Sequence, residues 1–86
     1  MMKHYLGRID ERNGEFEYST PYLFTTKGSP ARYADKVAQD WRGSTKECYD
    51  TDQEGYWADC TLVFAGNTRE IPESEWNVLS KYIAVL

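Results

Sequence analysis

Eighty-six residues with 14 acids against 10 bases carry a formal charge of -4. That length leaves room for one domain, 1–86, and excludes two independent cores. The bases are scattered singly from Lys3 to Lys81, so no basic face offsets the charge, and direct binding of DNA or RNA is not expected.

The hydrophobic fraction is 41% and aromatics make up 15% of the chain, spread along it as in a packed domain. Trp41, Trp57 and Trp76 are expected to contribute heavily to the core. Met1-Met2-Lys3-His4-Tyr5 has no apolar leader segment, and no stretch reaches transmembrane length. With only Cys48 and Cys60, the expectation is a cytoplasmic protein with free thiols.

Residues 4–26 predict a β-hairpin turning at Asn13-Gly14, the dipeptide that favours positive φ at both central positions. Arg12 then faces Glu15, Glu11 faces Phe16, Ile9 faces Tyr18, Gly7 faces Thr20 and Tyr5 faces Tyr22. Tyr5, Ile9, Phe16, Tyr18, Tyr22 and Phe24 share one face. The same register sets Asp10 against Glu17, a like-charge pair that costs stability. Pro21 points to an edge strand or a bulge.

Residues 30–42 predict a helix, capped by Ser29, entered through Pro30 and stopped by Gly43. Ala31, Ala34, Val37, Ala38 and Trp41 form its apolar stripe. A second antiparallel pair is expected over 44–66. Its first arm lies around Glu47–Tyr49, its turn at 50–55, and its second arm runs unbroken from Tyr56 to Ala65. Across that hairpin Cys48 and Cys60 come nearly opposite each other. Residues 72–84 predict a closing helix with Trp76, Leu79 and Ile83 inward and Val78 and Tyr82 widening the stripe. The expected fold is α+β: a four-stranded, mainly antiparallel sheet in the order β-β-α-β-β-α, with two helices packed on one face.

Catalytic chemistry finds little to work with. The only histidine is His4, beside the terminus, and no base stands near a Ser, Cys or Thr by motif. No glycine-rich phosphate loop is present, and Cys48, Cys60 and His4 fall short of a zinc set. No enzyme, metal centre or cofactor is expected. Asp50-Thr51-Asp52-Gln53-Glu54-Gly55 opens like a calcium loop, but the twelfth position is Thr61 rather than a bidentate Glu, and the flanks read as strands. A calcium-binding module at 50–55 is therefore a weak alternative.

The charge pattern is more distinctive. Glu47, Asp50, Asp52, Glu54 and Asp59 lie in a segment with no base, interleaved with Tyr49, Tyr56 and Trp57. Two readings compete. One is a solvated loop that keeps the protein in solution. The other is a docking face, where the acids steer a basic partner and the aromatics anchor it. Further acids gather at Asp10, Glu11, Glu15 and Glu17 and at Glu70, Glu73 and Glu75.

Tyr5-Leu6-Gly7-Arg8-Ile9, Gly14-Glu15-Phe16-Glu17-Tyr18, Tyr33-Ala34-Asp35-Lys36-Val37-Ala38 and Glu70-Ile71-Pro72 with Trp76 resemble segments of small phage and mobile-element proteins. In size, acidity and make-up the chain is also similar to anti-CRISPR and other anti-defence proteins, a likeness of type rather than of motif. The resemblance implies a non-enzymatic inhibitor in the host cytoplasm, docking on a host nucleic-acid-processing complex with a basic surface. The alternative is a module that homodimerises through an exposed strand edge.

Overall fold

The computed structural model describes residues 2–86. The chain runs β1 (Lys3–Asn13), β2 (Phe16–Thr26), α1 (Pro30–Asp40), a 3₁₀ turn at Lys46–Cys48, β3 (Tyr49–Asp50), β4 (Gly55–Ala58), β5 (Thr61–Ala65), β6 (Arg69–Ile71) and α2 (Glu73–Leu79). Among the described residues the sheet has six strands rather than the four expected. Its path is β2-β1-β5-β4-β3, and β6 pairs with β1 beyond the end of β5. All strand pairs are antiparallel.

The first hairpin forms, but its register is Ile9 to Thr20 and Asn13 to Phe16, two residues from the expected one. The turn residues are Gly14 and Glu15, with Gly14 at φ 60°, the arrangement that takes glycine at its first central position. Electrostatics favour the shift. Asp10 now faces Ser19 and accepts its hydroxyl at 2.8 Å, while Arg12 faces Glu17. The Asp10–Glu17 conflict is gone. A two-residue slip preserves the faces, so Tyr5, Ile9, Tyr22 and Phe24 are all buried as predicted. Phe16 and Tyr18 are 68% and 54% exposed, so they leave the core.

Strands β5 and β6 are one path interrupted by a bulge. Ala65 faces Ile9 and Arg69 faces Leu6, so Gly66, Asn67 and Thr68 stand against only Gly7 and Arg8. Gly66 N donates to Arg8 O at 2.7 Å. A Cβ at Gly66 would sit 3.0 Å from Arg8 O, so the bulge is tight there and suits glycine.

Helix α1 follows the expected chemistry. Ser29 Oγ accepts from Arg32 N at 3.3 Å, and Gly43, at φ 73°, takes the chain away from the helix. Ala34 and Ala38 are buried against the sheet, and Tyr33 replaces Ala31 in the stripe by stacking on Phe24 at 4.4 Å.

The two helices lie on opposite faces, not one. Successive strand residues point to opposite sides. Tyr5 stacks on Phe24, which carries α1, whereas His4 meets Trp76 of α2 at 4.6 Å between ring centroids. Buried Leu23 and Ile71 belong to the α2 side. Helix α2 is shorter than expected: Trp76, Leu79 and Ile83 are only half-buried, and Val78 and Tyr82 are exposed. The three tryptophans are likewise all partly exposed. The large fully buried side chains are Tyr22, Phe24, Ile9, Leu23, Leu62 and Val63.

After α2 the chain wraps round the outer edge of β2. Leu23 N donates to Ala84 O and Leu86 N to Leu23 O, both at 2.8 Å, and Tyr33 Oη donates to Leu86 O at 2.8 Å. The tail thus ties the α2 side of the sheet to α1. Among the described residues no helix is long and apolar enough to cross a membrane.

Candidate functional site

The acidic stretch folds as the far margin of the sheet. Tyr49 pairs with Tyr56 and Asp50 with Gly55, making β3 a two-residue edge strand. The expected single arm from Tyr56 to Ala65 is instead two strands with a tight turn at Asp59-Cys60, where Ala58 faces Thr61. Asp59 adopts φ 53°, a region an aspartate tolerates better than most residues. The turn carries Cys60 away from Cys48. The two thiols are free and exposed, and they do not face each other.

Asp50 organises the loop before β4. Its Oδ1 accepts from the backbone N–H of Asp52 at 3.0 Å and of Gln53 at 3.1 Å, and its Oδ2 accepts from Trp57 Nε1 at 3.0 Å. The Trp57 indole above all, then the Gln53 amide, holds this carboxyl below its ordinary value. Gly55 closes the motif because a Cβ there would lie 3.0 Å from Leu62 Cδ1 and from Val63 O. The sequence that opens like a calcium loop is therefore a side-chain-capped turn with a glycine required by packing. Thr61, at the closing-ligand position, is buried and accepts from Asn13 Nδ2 at 3.2 Å. Among the described residues no three His, Cys, Asp or Glu side chains are grouped to hold a metal ion.

The three aromatics separate. Tyr56 is 5% exposed, so it belongs to the core rather than to an exposed contact surface. Its hydroxyl donates to Asp35 Oδ2 at 2.9 Å; burial, then the Asp35 carboxylate, pushes the phenol up to about 12. Tyr49 packs edge-on against Tyr56 at 5.0 Å and is 40% exposed on the α1 side. Trp57 is 38% exposed on the other side of the sheet, with its backbone carbonyl held by Ser44 Oγ at 2.8 Å.

Glu47, Asp52, Glu54 and Asp59 are exposed, and Asp50 is half-exposed. Among the described residues none of the five forms an ion pair. The ion pairs present join Lys3 to Glu70, Arg8 to Asp10, Lys36 to Asp40, Arg42 to Glu11 and Arg69 to Glu75. Glu54 and Asp59 bracket β4, so at strand rise they are spread over about 17 Å of edge.

Of the other acids, Glu15, Glu17 and Glu73 are exposed without an ion pair among the described residues, and the rest are spent on the fold. Asp10 binds Arg8 and Ser19, Glu11 is buried beneath Arg42, and Glu70 and Glu75 are paired. Three features escape a reading of the chain by pattern: the Asp35–Tyr56 bond, the Arg12 side chain donating to Gln53, and the exposure of Phe16 and Tyr18. No protein-family model, curated protein or solved structure matches this chain.

Proposed function

We propose that this chain is a non-enzymatic inhibitor of the kind carried by phages and mobile elements, comparable to anti-CRISPR proteins. It docks on a basic surface of a host nucleic-acid-processing defence complex. The contact is the β3–β4 margin, with Glu47, Asp52, Glu54 and Asp59 meeting the lysines and arginines that otherwise hold phosphates. Tyr49 and Trp57, one on each side of the sheet, supply the anchors. Asp50 and Tyr56 act from behind: Asp50 orients Trp57, and Tyr56 supports Tyr49.

One observation carries this reading. Among the described residues the ion pairs lie elsewhere, and the acids of this margin meet no internal cation. Unpaired carboxylates on a short, rigid edge keep their full field for an external partner. An added strand on β3 is not needed, since two residues offer little ladder.

The test is capture from bacterial lysate with low- and high-salt washes, followed by titration of the purified partner. A variant carrying Glu47→Gln, Asp52→Asn, Glu54→Gln and Asp59→Asn should bind at least about tenfold more weakly and lose most of its salt dependence. Unchanged affinity in that variant, with the fold intact by circular dichroism, would refute the acidic-edge mechanism.

A further inference from the structure

The opposite margin of the sheet, the outer edge of β2, carries a separate inference. Leu23 turns both its backbone N–H and C=O outward, where Ala84 and Leu86 take them. The register with β1 is constant along β2, so Pro21, Ser19 and Glu17 also face outward. The tail closes the edge at Leu23, and Pro21 has no N–H to offer. Between the tail and the turn the open N–H groups are therefore those of Ser19 and Glu17, and among the described residues β2 has no strand neighbour on this side. The next side chains on the α1-bearing face are Phe16 and Tyr18, both largely exposed.

From this geometry we infer that the chain forms a two-fold homodimer by antiparallel pairing of β2 with β2 of a second copy, with the axis at Tyr18. Only that register suits the segment. Centred on Ser19, it would draw Pro21 into the ladder opposite Glu17. Centred on Glu17, it would set two carboxylates face to face. Centred on Tyr18, Glu17 meets the neutral Ser19 of the second copy, and each such pair exchanges two hydrogen bonds, four in all. Tyr18 meets its own counterpart, and Phe16 meets Thr20. Pro21 falls opposite Glu15, in the turn, where no donor is needed. The edge segment is thus complementary to itself in hydrogen bonding, and no two carboxylates are directly opposed.

The dimer is a continuous sheet across the axis. Its acidic β3 margins stand at the two far ends, about 43 Å apart at nine strand spacings, so this inference is independent of what those margins bind.

Sedimentation equilibrium from about 1 µM to 1 mM tests the association. The wild type should pass from monomer to dimer across that range. Tyr18→Arg should raise the dissociation constant at least tenfold with an unchanged circular dichroism spectrum, because Tyr18 is exposed in the monomer. Register is read by oxidation in a Cys48→Ser, Cys60→Ser background. Tyr18→Cys should form a covalent dimer, since directly opposed residues at a non-hydrogen-bonded position lie about 4.5 Å apart at Cα, within disulfide reach. Thr20→Cys should not. A wild type that stays monomeric throughout overturns the inference. So does a dimer indifferent to Tyr18→Arg, or a monomer whose β2 edge instead takes an extended segment of another protein.

Discussion

Tyr22 is fully buried with its ring over Gly7, and its hydroxyl has no hydrogen-bond partner among the described residues. An unpaired buried hydroxyl forfeits about 1–3 kcal/mol of hydration. Tyr22→Phe keeps the ring and its stacking on Phe24 at 5.5 Å, so near neutral pH it should stabilise the protein by about 1 kcal/mol. For a chain of this size that is a rise in Tm of about 4–8 °C. The gain should then grow with pH. Burial, with a smaller contribution from Tyr33, pushes the Tyr22 phenol from 10.0 up to about 12. Above pH 10 the unfolded chain loses this proton while the folded one keeps it. The wild type therefore has its full stability below pH 10 and loses it as pH rises towards 12. The loss is about 1 kcal/mol near pH 11 and approaches about 3 kcal/mol beyond pH 12. Urea unfolding followed by tryptophan fluorescence near pH 7 and near pH 11 reads both quantities. A Tyr22→Phe protein less stable than wild type at neutral pH would refute the unpaired hydroxyl. A difference that stays flat between the two pH values would refute the shifted phenol.

Gly7→Ala should destabilise by about 1–3 kcal/mol, because the new Cβ would lie 2.7 Å from Tyr22 Cζ in a packed core; a double-mutant cycle with Tyr22→Leu should show strong coupling in urea unfolding. Glu11→Gln should cost about 1–2 kcal/mol, as it removes the charge that Arg42 meets at a buried position, moderated by the half-exposed guanidinium; a cost near zero by the same assay would remove the pair from the stabilising contacts. The Asp50 carboxyl lies below its ordinary 3.8, so the order it gives the 51–54 loop is present above pH 3.8 and is lost as pH falls through the lower folded value. In a Trp41→Phe, Trp76→Phe background, Trp57 emission should hold steady to below pH 3.8, and in Asp50→Ala it should already be shifted at neutral pH.

Helix α1 was legible because several local signals agree: an N-cap serine, a first-turn proline, an apolar stripe and a stopping glycine. The first hairpin was legible as a hairpin but not in its register. Asn13-Gly14 is a strong turn signal, yet the charges of Asp10, Arg12 and Glu17 outweigh it, and the chain turns one residue later. The break at Asp59-Cys60 was hidden because it uses an aspartate rather than a glycine for positive φ. The placement of the helices on two faces had a trace in the sequence. Tyr22-Leu23-Phe24 is a continuous apolar run, which belongs to a strand covered on both sides. At the candidate site, exposure of the acids followed from composition, whereas the division between Trp57 and Tyr49 depended on strand alternation. The burial of Tyr56 depended on its contact with Asp35, a residue distant in sequence.

Strand β1 sits at the centre of the sheet, with β2 on one side and β5 and β6 on the other. On a ribosome the first hairpin emerges early, while the segment that covers its other edge, residues 61–71, emerges well after it. Until then the hairpin carries Leu23 uncovered on one face and an unpaired β1 edge, with only α1 to cover Tyr5, Ile9, Tyr22 and Phe24 on the other. Such a nascent chain is a substrate for holding chaperones and is prone to associate with its neighbours on the same message. A circular permutant that begins at 59–60 and joins the old termini would deliver the late strands first, and its soluble yield would show how much the native order of synthesis costs.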